Sequence, residues 1–188
     1  FAQSSVEYLG FIVDSEGVRV TPEYAKKIAH IPEPKTRKQC RRFCGMAQYV
    51  TRFVPGLSLS LGALHRATAK GKQFVWTDEC REQFEEAKKR IEQAKILKHP
   101  DPDLPFEVIC DASNLGIGAC LQQRDDHGQV YAVSFCSHLF NSTQRNWHVS
   151  EQEIYAVIYA VEKWRQYLIG RSFTVHTDHR RDIRSGGR

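Results

Sequence analysis

The hydrophobic period of this 188-residue chain changes midway, and no other feature constrains its fold as much. Between Thr21 and Lys95 the apolar residues recur at helical spacing, whereas after His99-Pro100-Asp101-Pro102-Asp103-Leu104-Pro105 they recur at strand spacing. Three prolines in seven residues support neither a helix interior nor a central strand, so this segment reads as a linker and places a domain boundary. The chain is therefore expected to hold a mainly helical first part and an α/β second part.

The first part opens with Val6, Tyr8, Leu9, Phe11, Ile12 and Val13, a turn signal at Asp14-Ser15-Glu16-Gly17, then Val18 and Val20, which predicts a short hairpin. Thr21-Pro22-Glu23 starts a brief helix that Ile31-Pro32-Glu33-Pro34 cannot continue. Thr36-Arg37-Lys38-Gln39 has capping-box spacing and opens a longer helix with Cys40, Phe43, Ala47 and Val50 on one face, ended by Pro55-Gly56. A third helix, capped by Thr77, is predicted from Asp78 to Lys95, with Phe84, Ala87, Ile91 and Ala94 at helical spacing.

Beyond the linker, strands are predicted at Phe106 to Ile109 and onward, at Ile117 to Leu121 and at Val130 to Phe135, joined by tight turns into an antiparallel meander. A helix from Glu151 to Leu168, closed by Gly170, leads to a strand from Phe173 to Thr177. One helix joining that strand to the earlier sheet is a crossover, which predicts that the last strand runs parallel to a member of the meander.

Composition narrows the function classes. With 41% hydrophobic and 26% charged residues the chain is an ordinary globular sequence. Its longest apolar run, Ile154 to Val161, is far short of the roughly 20 residues of a membrane span. Six scattered cysteines give no disulfide framework, and Cys110 and Cys120 read as small buried hydrophobes of a reducing compartment. Cys40 and Cys44, with no nearby His or Cys pair, are a weak basis for zinc.

Charge is uneven. Residues 1 to 100 carry 18 basic and 11 acidic side chains, and residues 101 to 188 carry 9 and 11. From Pro34 to Thr77 there is no acid, yet Lys35, Arg37, Lys38, Arg41, Arg42, Arg52, Arg66, Lys70 and Lys72 are basic. Such a stretch is either a solvated face or a surface for a polyanion such as nucleic acid. Arg37, Lys38, Arg41 and Arg42 fall in the first two turns of a helix, where cations oppose the helix dipole and a bound polyanion would compensate them.

Three acids form the candidate chemistry. Asp111 ends the apolar run Val108-Ile109-Cys110, Asp178 follows Val175-His176-Thr177, and Glu153 lies in the first turn of the long helix with Val157, Ala160 and Trp164 on its face. Each has a plain reading: Glu153 as the acid of a capping box begun by Ser150, and the two aspartates as strand-end turn formers. Together they are what a two-metal phosphoryl-transfer site requires, since hard oxygen ligands suit Mg²⁺.

These residues resemble the gypsy class of LTR-retrotransposon pol polyproteins, from the end of the reverse transcriptase into the ribonuclease H domain. Tyr8-Leu9-Gly10-Phe11-Ile12-Val13 resembles the primer-grip hairpin, with Phe11 where the family often has His. Thr36 to Pro55 resembles the thumb helices, and Phe74-Val75-Trp76-Thr77 with Phe84 the tether into the nuclease. Asp111-Ala112-Ser113, Gly116-Ile117-Gly118-Ala119, Ser134-Phe135-Cys136-Ser137, Trp164-Arg165-Gln166-Tyr167-Leu168 and Thr177-Asp178-His179 resemble successive nuclease motifs.

The resemblance implies residues 1–72 as the end of the palm and the thumb, 73–104 as connection and linker, and 105–179 as an incomplete RNase H-like mixed sheet with a crossover helix. Residues 180–188 would be a polar tail outside the family pattern. It implies Asp111, Glu153 and Asp178 as catalytic and metal-binding residues for two Mg²⁺ or Mn²⁺ ions. Tyr8, Leu9, Gly10, Lys35, Arg37, Lys38, Arg41, Arg42 and Arg52 would contact an RNA/DNA hybrid or template-primer duplex. The partners implied are the rest of the pol polyprotein, namely polymerase fingers and palm and the integrase, and the location a cytoplasmic particle or the nucleus. The chain reads as a fragment that begins after the polymerase aspartates, and its arginine-rich end as a truncation or altered frame lacking a fourth metal-associated residue. The alternative is a degenerate or domesticated remnant that binds nucleic acid without hydrolysis.

Overall fold

The computed structural model describes residues 4–177 and 183–184. The chain gathers into two compact units, residues 1–96 and 97–188.

The first unit opens with three strands, β1 (Ser5–Tyr8), β2 (Phe11–Asp14) and β3 (Gly17–Val20), in an antiparallel sheet of order β1-β2-β3. The predicted hairpin is thus a meander with a second turn at Leu9-Gly10, both residues at positive φ (51° and 83°). That pair is a tight-turn conformation in which the first residue is unusually not Asn, Asp or Gly, so pattern reading passed over it. The Gly10 carbonyl accepts the Thr21 amide at 2.9 Å, and the Tyr24 ring lies 3.0 Å from where a Gly10 Cβ would stand.

Helix α1 (Pro22–Ala29) starts as predicted, the Thr21 hydroxyl accepting the Tyr24 amide. Helix α2 (Arg37–Tyr49) carries the full Thr36/Gln39 capping box and buries Cys40, Phe43, Cys44 and Ala47. It ends at Tyr49, six residues before Pro55, because the chain tightens into a 3₁₀ turn at Thr51–Phe53 that buries Phe53. A second 3₁₀ segment, Leu57–Leu61, runs into α3 (Gly62–Ala67), neither of which was anticipated. Leu57, Leu61 and Leu64 are fully buried at i, i+4 and i+7, a helical signal masked by the alternation of Leu57-Ser58-Leu59-Ser60-Leu61. Helix α4 (Asp78–Glu92) is capped by Thr77 and stops three residues before Lys95. It packs on α1, α3 and the Leu57–Leu61 segment, with Phe84 against Phe43 at 4.5 Å between ring centroids.

The second unit is a five-stranded sheet, β4 (Phe106–Ser113), β5 (Gly116–Arg124), β6 (Val130–Leu139), β7 (Phe173–His176) and β8 (Ile183–Arg184), of order β6-β5-β4-β7-β8. β4, β5 and β6 form the expected antiparallel meander, and β7 lies parallel to β4 with Ile109 opposite His176. A short helix α5 (Ser142–Arg145) precedes α6 (Val149–Lys163), which breaks at Trp164 before α7 (Arg165–Leu168). The predicted single helix from Glu151 to Leu168 is therefore two, the turn at Trp164 coming where its side chain is 2% exposed within the core. α6 packs on β4 and β5, and Val108, Cys110, Ile117, Leu121, Ala156, Ala160, Trp164 and Leu168 form the core between them.

The proline-rich segment belongs to this unit and is held by one buried side chain. Gln123 is 0% exposed; its amide nitrogen donates to the Asp101 and Leu104 carbonyls, and its oxygen accepts the Asp101 amide and the Tyr131 hydroxyl. Every polar atom of that side chain is thereby satisfied, which is what makes its burial tolerable.

Candidate nuclease site and nucleic-acid interface

In the second unit the crossover fixes which end of the sheet can hold a site. β4 and β7 run in the same direction, and α6 returns antiparallel to them, so its N-terminal turns lie level with the C-terminal end of β4. The crevice at the carboxyl ends of parallel strands is the usual place for a ligand in such sheets.

Asp111 lies on β4 opposite Gly118 of β5 and is exposed. The strand continues two residues past it to Ser113, so Asp111 is not the strand terminus the sequence predicted. Alternation turns Phe106, Val108 and Cys110 toward the core and puts Asp111 on the opposite face.

Glu153 sits one turn into α6 and is 8% exposed. The expectation that Ser150 caps this helix is corrected: the cap is His148, whose ring accepts the Ser150 amide while Glu151 reaches back to the His148 amide at 2.8 Å. The plain reading of Glu153 as the capping acid falls with it, because Glu151 holds that role. Glu153 instead faces β4. Burial, joined by the Glu153 carboxylate, pushes the Cys110 thiol up to about 12, so the carboxylate lies within electrostatic reach of the residue next to Asp111. Asp178 lies outside the described residues. Among those described, no group of three or more His, Cys, Asp or Glu side chains is arranged to hold a metal ion. All six cysteines are free thiols; Cys110 is buried as expected, whereas Cys120 is only partly buried, on the face away from α6.

In the first unit the candidate interface is α2 and the hairpin. No acid lies in the first turn of α2, and among the described residues no carboxylate pairs with Lys35, Arg37, Lys38, Arg41, Arg42 or Arg52. Arg41 donates to the Thr68 carbonyl at 2.7 Å, which fixes its guanidinium without neutralising it, and Arg52 lies over the Phe53 ring at 5.3 Å. Arg66 of the same basic stretch is, by contrast, paired with Glu79. The acid-free segment therefore divides into free cations on and beside α2 and a neutralised one on α3.

Tyr8 and Leu9 are 67% and 65% exposed at the tip of the β1–β2 turn. The turn is fastened to α2: the Tyr49 hydroxyl donates to the Leu9 carbonyl at 2.8 Å, and Phe11 stacks on Tyr49 at 4.9 Å. A groove of about 490 Å³ beside α2 is lined by Arg41, Gly45, Gln48, His65, Thr68 and Lys70. Of these, sequence reasoning named Arg41 as a contact and Lys70 as part of the basic stretch, although an exposed glycine inside a helix, which destabilises it by roughly 1 kcal/mol relative to alanine, was a further signal available to it.

Comparisons with known proteins agree with this architecture. A family model described as an RNase H-like domain found in reverse transcriptase matches residues 76–175. The Transposon Tf2-3 and Tf2-4 polyproteins of Schizosaccharomyces pombe are each 30% identical over 182 residues, 96% of this chain and 14% of theirs. Foamy viral protease-reverse transcriptase in complex with an RNA/DNA hybrid is similar at 25% identity and a TM-score of 0.79, over 93% of this chain and 24% of that one. The same viral protein in complex with dsDNA shares the fold with a TM-score of 0.81 at 24% identity, over 95% of this chain and 37% of that one. No helix among the described residues is long and apolar enough to cross a membrane.

Proposed function

Because this chain belongs to the family of RNase H-like domains found in reverse transcriptase, we propose that it is the thumb and ribonuclease H portion of a retroelement polymerase and cleaves the RNA strand of an RNA/DNA hybrid. In this reading residues 1–72 hold the template-primer, 73–104 connect, and 105–179 carry the nuclease. The chain spans 14% of the length of the polyproteins it matches, and the remaining polymerase and integrase parts would be its partners in the same polyprotein.

The observation that carries the proposal is the placement of Glu153 in the first turns of α6, after its capping role has passed to Glu151, level with the end of β4 that bears Asp111. Asp111 and Glu153 offer hard oxygen donors, a set that suits Mg²⁺ or Mn²⁺ rather than a soft metal. These two residues, with Asp178, would hold the metal. Divalent metal, when bound, lowers the pKa of an attacking water and neutralises charge on the phosphate. The chain's own residues do the rest: Lys35, Arg37, Lys38, Arg41, Arg42 and Arg52 bind backbone phosphates, and Tyr8, Leu9 and Gly10 present an exposed turn to the duplex.

Cleavage of an end-labelled RNA/DNA hybrid, with and without Mg²⁺, tests this reading. Asp111→Asn and Glu153→Gln should each lower Mg²⁺-dependent cleavage by about a hundredfold or more while leaving hybrid binding intact. Hybrid binding without cleavage in the unsubstituted chain would favour a remnant that has kept the surface and lost hydrolysis.

A further inference from the structure

We propose that Gly118 is a positioning residue of the nuclease site: it keeps the sheet surface beside Asp111 low, so that the sugar-phosphate backbone of a bound RNA/DNA hybrid can reach that carboxylate. The proposal rests on the nuclease reading of Asp111.

A glycine inside a strand weakens it, through chain entropy and the loss of a side chain that could pack. Two internal reasons can justify that weakness, a backbone conformation that other residues avoid or a neighbour too close for a Cβ. Gly10 shows both, with φ +83° and the Tyr24 ring at 3.0 Å. Gly118 shows neither. Its backbone lies outside the left-handed region, and no described atom comes within 4 Å of the position a Cβ would take. The remaining reason for a strand glycine is close approach by something outside the described residues.

Register says where that approach occurs. Gly118 is the direct partner of Asp111, and directly paired residues of antiparallel strands share a face. On its other side Gly118 pairs with Ser137 of β6, so the row across the sheet through Asp111 has short side chains. The adjoining row on the same face is Ile109, Cys120 and Phe135, which stands higher. α6 covers the opposite face, through Cys110 and Ala156. Gly118 thus leaves a low gap directly beside Asp111 on the face opposite α6. A sugar-phosphate backbone is the ligand that such a gap beside a carboxylate admits and a side chain would obstruct.

The test compares the full chain with its Gly118→Ala and Gly118→Val variants in three measurements: melting temperature, hybrid affinity in Ca²⁺, and kcat and KM for hybrid cleavage in Mg²⁺. The melting temperature of the alanine variant should be equal or higher, because no described atom crowds the added Cβ. Hybrid affinity and kcat/KM should fall, less for alanine than for valine, with valine losing on the order of a hundredfold in kcat/KM. A purely structural glycine would show the reverse, a lower melting temperature with unchanged cleavage per folded molecule. Unchanged affinity and kcat/KM in folded Gly118→Val overturn the proposal. If valine prevents folding, alanine decides on the same criteria. Absence of cleavage in the unsubstituted chain would instead sink the nuclease reading. The affinity arm then judges Gly118 alone, with weaker hybrid binding by the valine variant upholding the clearance and equal binding refuting it.

Discussion

Single side chains decide several features that no periodicity could carry. Glu151 and Glu153 are two residues apart and of the same type, yet one caps α6 in solvent and the other is buried against β4. The difference is one of helical angle, since two residues turn the helix by about 200°. His138 is a second case: it stacks on Tyr159 at 4.9 Å, and burial holds its pKa below the ordinary value of 6.5. A histidine whose folded pKa is depressed takes up protons more readily when unfolded, so its contribution to stability is whole above about pH 6.5 and is lost as pH falls toward the folded value. His138→Phe should therefore flatten the fall in melting temperature between about pH 7 and about pH 5.5. An unchanged slope would show that the ring carries no linkage.

At the scale of elements, α2 combines a strong start with an unfavourable charge. Its Thr36/Gln39 capping box satisfies N-terminal amides, whereas its cationic first turns oppose the dipole. Thr36→Ala should cost about 1 kcal/mol of stability by denaturant unfolding. Neutralising Arg37, Lys38 and Arg42 should act oppositely on two measurements. It should leave stability equal or higher, and it should reduce both the affinity for duplex and the slope of log affinity against log salt, by about 0.9 for each phosphate that no longer meets a cation. A salt slope unchanged by all three substitutions would remove α2 from the interface. The β1–β2 turn belongs at this scale too, because its exposed tip is presented by a fixed base, with Tyr49 of α2 bonded to Leu9 and stacked on Phe11.

For the whole molecule, the division between Ile96 and Leu97 has a physical mark on each side. The Lys95 amide donates to the Phe53 carbonyl in the first unit, and the Lys98 amide to the Ala132 carbonyl in the second. Each unit has its own apolar core, Phe43 and Phe84 in one and the β-sheet against α6 in the other. Phe43→Ala should destabilise the first unit by about 3–5 kcal/mol. Amides of β4 and β5 should keep their hydrogen-exchange protection in that variant, and their joint loss with those of α2 would show one cooperative body.

Features that depend on residues within about four positions of one another were legible in the amino-acid order. Thr21, Thr36 and Thr77 cap helices where their spacing said they would, the strands at 106, 117 and 130 formed, and the single crossover made β7 parallel to β4. The family resemblance was legible for the same reason, since its motifs are short runs of chain. Other features came only with packing. Leu57, Leu61 and Leu64 became helical because the site they fill lies against α4, and the helix after α6 breaks at Trp164 within the core. Gln123 found its four hydrogen bonds some twenty residues back, in the proline-rich segment, and eight residues ahead at Tyr131. Glu153 and Asp111 come to one end of one sheet although 42 positions separate their numbers, and the gap that Gly118 leaves beside Asp111 exists only because β5 pairs with β4 in one register. Burial and register are properties of neighbours brought from afar, and local spacing carries no information about which neighbours those will be.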